Sequence, residues 1–177
     1  MREENITADR PIVERPRKGT MKLLELLNLP HRPEIARWAP LPLRLIVGLG
    51  FMQHGTAKLA RGPDVFAAIL HAIGVPAPHV MAWATIVIEL LGGFAVLIGA
   101  FVSVASIPMA AVLLVAVFTV QLPYGFSSIK LIGVTAAGAQ FGPPGYETNL
   151  LYLACLVALV LGGSGPLAID GRKGKLQ

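Results

Sequence analysis

The stretch from Val80 to Phe101 reads VMAWATIVIELLGGFAVLIGAF, twenty-two residues interrupted by one charge, Glu89. As a helix it rises about 33 Å, enough to cross the roughly 30 Å hydrocarbon layer of a bilayer. The whole chain has the same character. Of 177 residues, 54% are hydrophobic and 14% charged, and the mean hydropathy is +0.66. Soluble proteins carry roughly a quarter charged residues. This is the composition of a membrane protein, and it excludes two soluble domains.

Three more apolar runs flank the first. Leu41 to Leu59 is interrupted by Arg44, His54 and Lys58. Ser103 to Leu122 carries no charge and has Pro108 near its start, where proline is best tolerated. Tyr146 to Gly163 opens with Glu147 and Asn149 and is then purely apolar. Each is near spanning length, so the sequence predicts an all-α, four-helix transmembrane bundle. The connection from Ala100 to Ser103 is so short that the second and third spans must form an antiparallel hairpin.

The charges orient the bundle. Residues 1–44 carry nine Lys/Arg and six Asp/Glu, residues 45–169 carry three of each, and residues 170–177 carry three basic and one acidic. The formal excess of +5 is therefore confined to the tails, which argues against a nucleic-acid-binding face. Basic flanks stay on the cytoplasmic side, so both termini are expected in the cytoplasm and the number of crossings is even. The domain reading is a cytoplasmic tail over 1–40, a membrane domain over 41–170 and a basic cytoplasmic tail over 171–177.

The amino-terminal tail has no early apolar core followed by a small-residue cleavage site, so no cleaved signal peptide is expected. Within it, Met21 to Asn28 reads either as an amphipathic turn on the membrane surface or as a disordered leader. Translation from Met1 and from Met21 are both compatible with the sequence. Pro63-Asp64, followed by Val65, Phe66, Ile69, Leu70 and Ile73, predicts a short capped helix resting on the outer interface. The mixed stretch Pro123 to Gly145 is expected to be a re-entrant or interfacial segment, because a fifth crossing would place the basic carboxyl tail outside.

Helical rise then assigns a depth to each intramembrane polar residue. His54 lies about 20 Å above the start of the first span, and Glu89 roughly 12 Å below the outer start of the second. Lys58 is one turn above His54 on the same face, Gln121 ends the third span and Glu147 opens the fourth. His54, Lys58, Glu89, Gln121 and Glu147 are thus expected to converge in the outer leaflet. A charge in hydrocarbon costs about 2.5–3.5 kcal/mol on insertion scales, so these groups should face the bundle and one another. A Lys58–Glu89 or a His54–Glu89 pair is expected, with Glu147 as second acid. Gly48, Gly50, Gly55, Gly92 and Gly93 permit the close backbone approach this needs. Such a pair can equally serve only to fix helix register. Arg44, at the opposite end, is expected to snorkel to cytoplasmic headgroups, and Trp83 and Tyr146 to be interfacial belt residues.

Other chemistries find little support. The lone Cys155 excludes an internal disulfide or Cys-x-x-Cys pair and reads as a packing residue. His71 and His79 belong to the outer connection, so a bis-histidine haem lacks a second ligand at the depth of His54, and no metal site is expected. No phosphate-binding glycine loop, His-Glu-x-x-His or Ser-His-Asp set occurs.

His54-Gly55-x-x-Lys58, Glu89-Leu-Leu-Gly92-Gly93, Leu122-Pro-Tyr-Gly125-Phe126, Gly145-Tyr146-Glu147 and Gly165-Pro-Leu-Ala-Ile-Asp170 together resemble the DoxX family of small bacterial membrane proteins, over about Leu41 to Asp170. Gln121 departs from the pattern, standing where many relatives have histidine, and glutamine cannot titrate. The resemblance implies a multi-pass protein of the bacterial inner membrane, with His54, Lys58, Glu89 and Glu147 as candidates for a shared site. Some members of that family are associated with quinone-linked redox chemistry and others with oxidative-stress assemblies, which makes quinone the candidate cofactor, though none is established, and a soluble or membrane redox protein the candidate partner. The alternative is a non-enzymatic scaffold or small-solute carrier whose ion pairs are structural. A homo-oligomer is compatible with either.

Overall fold

A computed structural model of the chain describes residues 33–170. The Met21–Asn28 turn, the translation start and the basic carboxyl tail lie outside the described residues. Pro33–Ala36 forms one helical turn in a unit that ends at Ala36. The second unit, from Arg37, holds the membrane domain.

Helix α1 (Pro40–Arg61) starts with proline in its first turn, where the missing N–H has no helical partner to lose, and stops at Gly62, whose φ is 101°. Helix α2 (Pro63–Ala72) starts the same way and places Asp64 at its positive end. Helix α3 (Pro78–Ile98) contains a π-turn at Ile88–Gly92. Helix α4 (Val102–Tyr124) contains a second at Val117–Gln121 and ends in a 3₁₀ turn. Helix α5 spans Glu147–Gly162. Three helices are long and apolar enough to cross a membrane: one ending at Arg61, then α3 and α4. The run expected as a fourth span is shorter, with 16 residues in α5.

The main core cluster lies between helices and is built from Val47 and Phe51 of α1, Val96 of α3, Val102, Met109 and Leu113 of α4, and Leu156 and Leu159 of α5, while a smaller one joins Ala67 and Leu70 of α2 to Ala82 of α3. Cys155 packs at the edge of the main cluster, as a small residue should. Large apolar side chains such as Leu49, Leu91, Phe94, Ile107 and Leu161 face outward. An apolar surface that extensive belongs against acyl chains. Trp83 is half exposed, whereas Tyr146 packs edge-on against Phe126 with ring centres 5.7 Å apart.

The all-α expectation needs correction. Between α4 and α5 the chain forms a two-stranded antiparallel hairpin, β1 (Leu131–Thr135) with β2 (Gly138–Phe141), pairing Thr135 with Gly138 and Val134 with Ala139. β-Branched Ile132, Val134 and Thr135 favour extended backbone. Gly138, at φ 117°, closes the turn, and the Thr135 hydroxyl accepts the Ala137 N–H at 3.3 Å.

Arg44 is a second correction. It does not snorkel; it is 2% exposed. Its guanidinium donates to the carbonyls of Val96 (3.1 Å), Leu97 (2.8 Å), Ser164 (3.0 Å) and Pro166 (3.3 Å). The first two are carbonyls in the last turn of α3, where Val96 O also accepts the Gly99 N–H at 3.1 Å, and the others follow the end of α5, so one cation serves the chain at two helix ends. The Gly165–Asp170 motif completes this clasp. Asp170 N–H donates to Gly99 O at 3.0 Å, and its carboxylate accepts the first N–H of α4, from Val102, at 3.2 Å. Gly99 adopts φ 70° with Ala168 and Arg44 so close that a Cβ would collide with both.

Candidate functional site

The intramembrane charges on α1 and α3 meet. Lys58 Nζ lies 2.6 Å from each carboxylate oxygen of Glu89, with side-chain exposures of 24% and 6%. The ammonium also faces the ring of Phe66 on α2, 5.2 Å from its centre, a contact that offsets part of its desolvation. Two features of the sequence bring the carboxylate here. At Gly55, one turn before Lys58, a Cβ would meet Leu90 at 2.9 Å and the Cβ of Glu89 at 3.1 Å, so only glycine admits α3 this close. The π-turn at Ile88–Gly92 adds a residue to the helical repeat at Glu89, re-aiming side chains relative to a regular helix.

Lys58 and Glu89 border two cavities. The larger, about 440 Å³, is apolar and is walled by α2, α3 and α4, including Phe66, Leu70, Ile88, Val112 and Val115. Gln121, the last residue of the second π-turn, lines it together with the ion pair. The smaller cavity, about 280 Å³, lies between α1, α4 and α5 and is lined by His54, Thr148, Asn149 and Tyr152 as well as Lys58, Glu89 and Gln121. Gln121 Oε1 is buried without a hydrogen-bond partner. Asn149, 8% exposed, donates to Leu113 O at 3.3 Å.

Four of the five polar residues singled out in the sequence therefore line the smaller cavity: His54, Lys58, Glu89 and Gln121. The ion pair forms through Lys58. Glu147 is engaged elsewhere, its Oε2 accepting the Ser128 N–H at 2.9 Å. The Ser128 hydroxyl accepts the Thr148 N–H at 3.2 Å. The N–H groups of Gly145, Tyr146 and Glu147 donate to the carbonyls of Ser127, Gly125 and Phe126. The Leu122–Phe126 and Gly145–Glu147 motifs thus dock on each other and cap the start of α5. Sequence reasoning missed the apolar cavity and Tyr152. The stripe Phe66, Ile69 and Leu70 of α2, with Ile73 just past its end, walls the cavity and is not only a face for the outer interface. Among the described residues no three His, Cys, Asp or Glu side chains are grouped to hold a metal ion.

The helices carrying the ion pair and Gln121, α1, α3 and α4, fall almost entirely within residues 39–122, the segment matched by the DoxX family model. The chain carries a DoxX domain. Two curated relatives extend the likeness beyond it. An uncharacterized membrane protein of Mycobacterium tuberculosis is 28% identical over 137 residues, covering 75% of this chain and 80% of its own. An uncharacterized protein of Haemophilus influenzae is 28% identical over 132 residues, covering 73% of this chain and 87% of its own. No solved structure matches the chain significantly. The chain is a membrane protein, embedded in a lipid bilayer, and the Lys58–Glu89 pair lies within the segment that matches the DoxX family model.

Proposed function

We propose that this DoxX protein is the membrane subunit of a quinone-linked redox system in the bacterial inner membrane. It would cross four times with both termini cytoplasmic. Helix α5 rises about 24 Å, and local bilayer thinning with flanking residues at the interface makes up the difference. The observation that carries the reading is the apolar cavity of about 440 Å³ that ends on Lys58, Glu89 and Gln121. Its size lies within the roughly 300–1,000 Å³ of small-molecule sites, and its make-up is theirs: apolar walls with a few convergent polar groups.

Reduction of a quinone takes two electrons and adds one proton to each carbonyl oxygen. A redox partner protein supplies the electrons. The chain's residues do the rest: apolar side chains exclude water, Lys58 and the Gln121 amide donate hydrogen bonds to an acceptor head, and Glu89 and His54 move protons.

The tight pairing of Lys58 with Glu89 also favours a second reading, in which it only fixes α1 against α3 in a scaffold or small-solute carrier. Glu89→Gln separates the two. On the redox reading, insertion persists and quinone-dependent activity in native membranes falls by about 10²-fold or more, as for loss of a proton-transfer group. Unchanged turnover with a lowered thermal midpoint would overturn it and support the scaffold.

A further inference from the structure

The two cavities differ in kind although they share a wall. Lys58, Glu89, Val112, Ala116 and Gln121 line both. The larger adds apolar side chains and two threonines, Thr85 and Thr119, the latter with its hydroxyl bonded to Val115 O, whereas the smaller adds the imidazole of His54, the hydroxyls of Thr148 and Tyr152 and the amide of Asn149. We propose that the smaller cavity is a hydrated antechamber that opens to the aqueous phase at the β-hairpin end of the bundle, so that the Lys58–Glu89 pair is the partition between a water-filled and a lipid-like compartment.

Three observations support it. First, the cavity is roomy: at about 30 Å³ per water in the liquid, 280 Å³ accommodates several molecules. Second, a buried water needs two to four polar partners, and the cavity wall supplies them from α1, α4 and α5. Gln121 Oε1, buried and without a partner in the protein, is a group such a water satisfies. Third, His54, Pro144 and Thr148 are exposed members of the lining, so the cavity reaches the surface where α5 starts. There the N–H groups of Gly145, Tyr146 and Glu147, leading into α5, are tied to the carbonyls of Ser127, Gly125 and Phe126, which holds the opening in a fixed geometry.

In this arrangement Glu89 exchanges protons with water on one side and meets an apolar ligand on the other. The inference goes beyond the redox reading and does not depend on which ligand fills the apolar cavity.

The test is cysteine accessibility of the full chain in proteoliposomes, in a Cys155→Ala background. Asn149→Cys and Leu113→Cys place a thiol in the wall of the smaller cavity, at positions 8% exposed in each case. Ala84→Cys places one in the wall of the larger. The probe is a charged, membrane-impermeant methanethiosulfonate, which reacts with the thiolate and therefore needs a hydrated thiol. The expected result is labelling of Asn149→Cys or Leu113→Cys at least about tenfold faster than Ala84→Cys, the factor carried by one pKa unit in the thiol. Either variant alone suffices if the other does not fold. Equal rates at both cavities would show that no partition exists, and a smaller cavity inert to the charged reagent but open to an uncharged maleimide would show it to be dry; each result overturns the inference. Failure here leaves quinone binding in the larger cavity testable by itself.

Discussion

Arg44 donates its Nε–H to the carbonyl of Val96 at 3.1 Å, joining the second turn of α1 to the last turn of α3. Fourteen residues further along α1, about 21 Å, Lys58 pairs with Glu89 of α3. The bundle is thus pinned at both ends, by a fully satisfied cation at one and by an ion pair bordered by two cavities at the other. Only the second is placed to meet a ligand.

Arg44→Met should therefore be a stability defect without a binding defect. It leaves the carbonyls of Leu97, Ser164 and Pro166 without their guanidinium donor, each worth about 1–3 kcal/mol when buried, whereas Val96 O keeps the Gly99 N–H. Because Ser164 and Pro166 lie near the surface, a total of about 3 kcal/mol is expected, lowering the thermal midpoint in detergent by roughly 6–12 °C for a chain this size. Arg44→Lys should not restore it, since a lysine cannot reach carbonyls on two helix ends with one planar fork. A midpoint within about 2 °C of the parent would contradict this role.

Asp170→Ala removes the carboxylate that accepts the Val102 N–H at the start of α4. Loss of such an N-terminal acceptor costs about 1 kcal/mol, or roughly 2–4 °C in thermal midpoint. Differential scanning fluorimetry checks it. An unchanged midpoint would mean that the Gly165–Asp170 segment is held by Ala168 packing and the Gly99 backbone bond alone.

Glu147→Gln distinguishes the two intramembrane acids. Glu147 serves the connection through Ser128, whereas Glu89 faces the cavities. The substitution should weaken a charge-assisted bond by about 1 kcal/mol and leave the affinity for a short-chain benzoquinone analogue unchanged. A loss of affinity comparable to that of Glu89→Gln would return Glu147 to the site.

Gly55→Leu, unlike Arg44→Met, should impair binding as well as stability. A side chain there meets Leu90 and the Cβ of Glu89 at once, forcing α1 from α3 beside the ion pair and costing about 1–3 kcal/mol from overpacking. Benzoquinone affinity should fall by about tenfold or more, the factor carried by 1.4 kcal/mol. Retained affinity would show that the close approach of the helices is not what aligns the site.

What the residues alone revealed follows from how strongly each is constrained. Glu89 and Lys58 were legible because a charge in hydrocarbon must find a partner, and the glycines nearby marked where the helices touch. Arg44 obeyed the same rule but found its partners in backbone carbonyls, which no side-chain pattern displays. The hairpin was hidden because Ile129 to Thr135 is as apolar as a short span, and length alone does not separate a strand from a helix there. The π-turns at Glu89 and Gln121 leave no compositional mark, so the apolar cavity they flank could not be read from spacing. The docking of Gly125–Ser127 on Gly145–Glu147 joins two motifs some twenty residues apart that looked independent.

The central claim is that an apolar redox carrier occupies the 440 Å³ cavity with its head at Lys58 and Gln121. Photolabelling of the purified protein with an azido-benzoquinone, followed by peptide mapping, tests it directly. The account predicts labelling concentrated on the cavity walls of α2, α3 and α4, suppressed by excess unmodified quinone and lost in Lys58→Met. Labelling spread over the outward faces at Ile107, Phe94 and Leu161, unaffected by competitor, would contradict it.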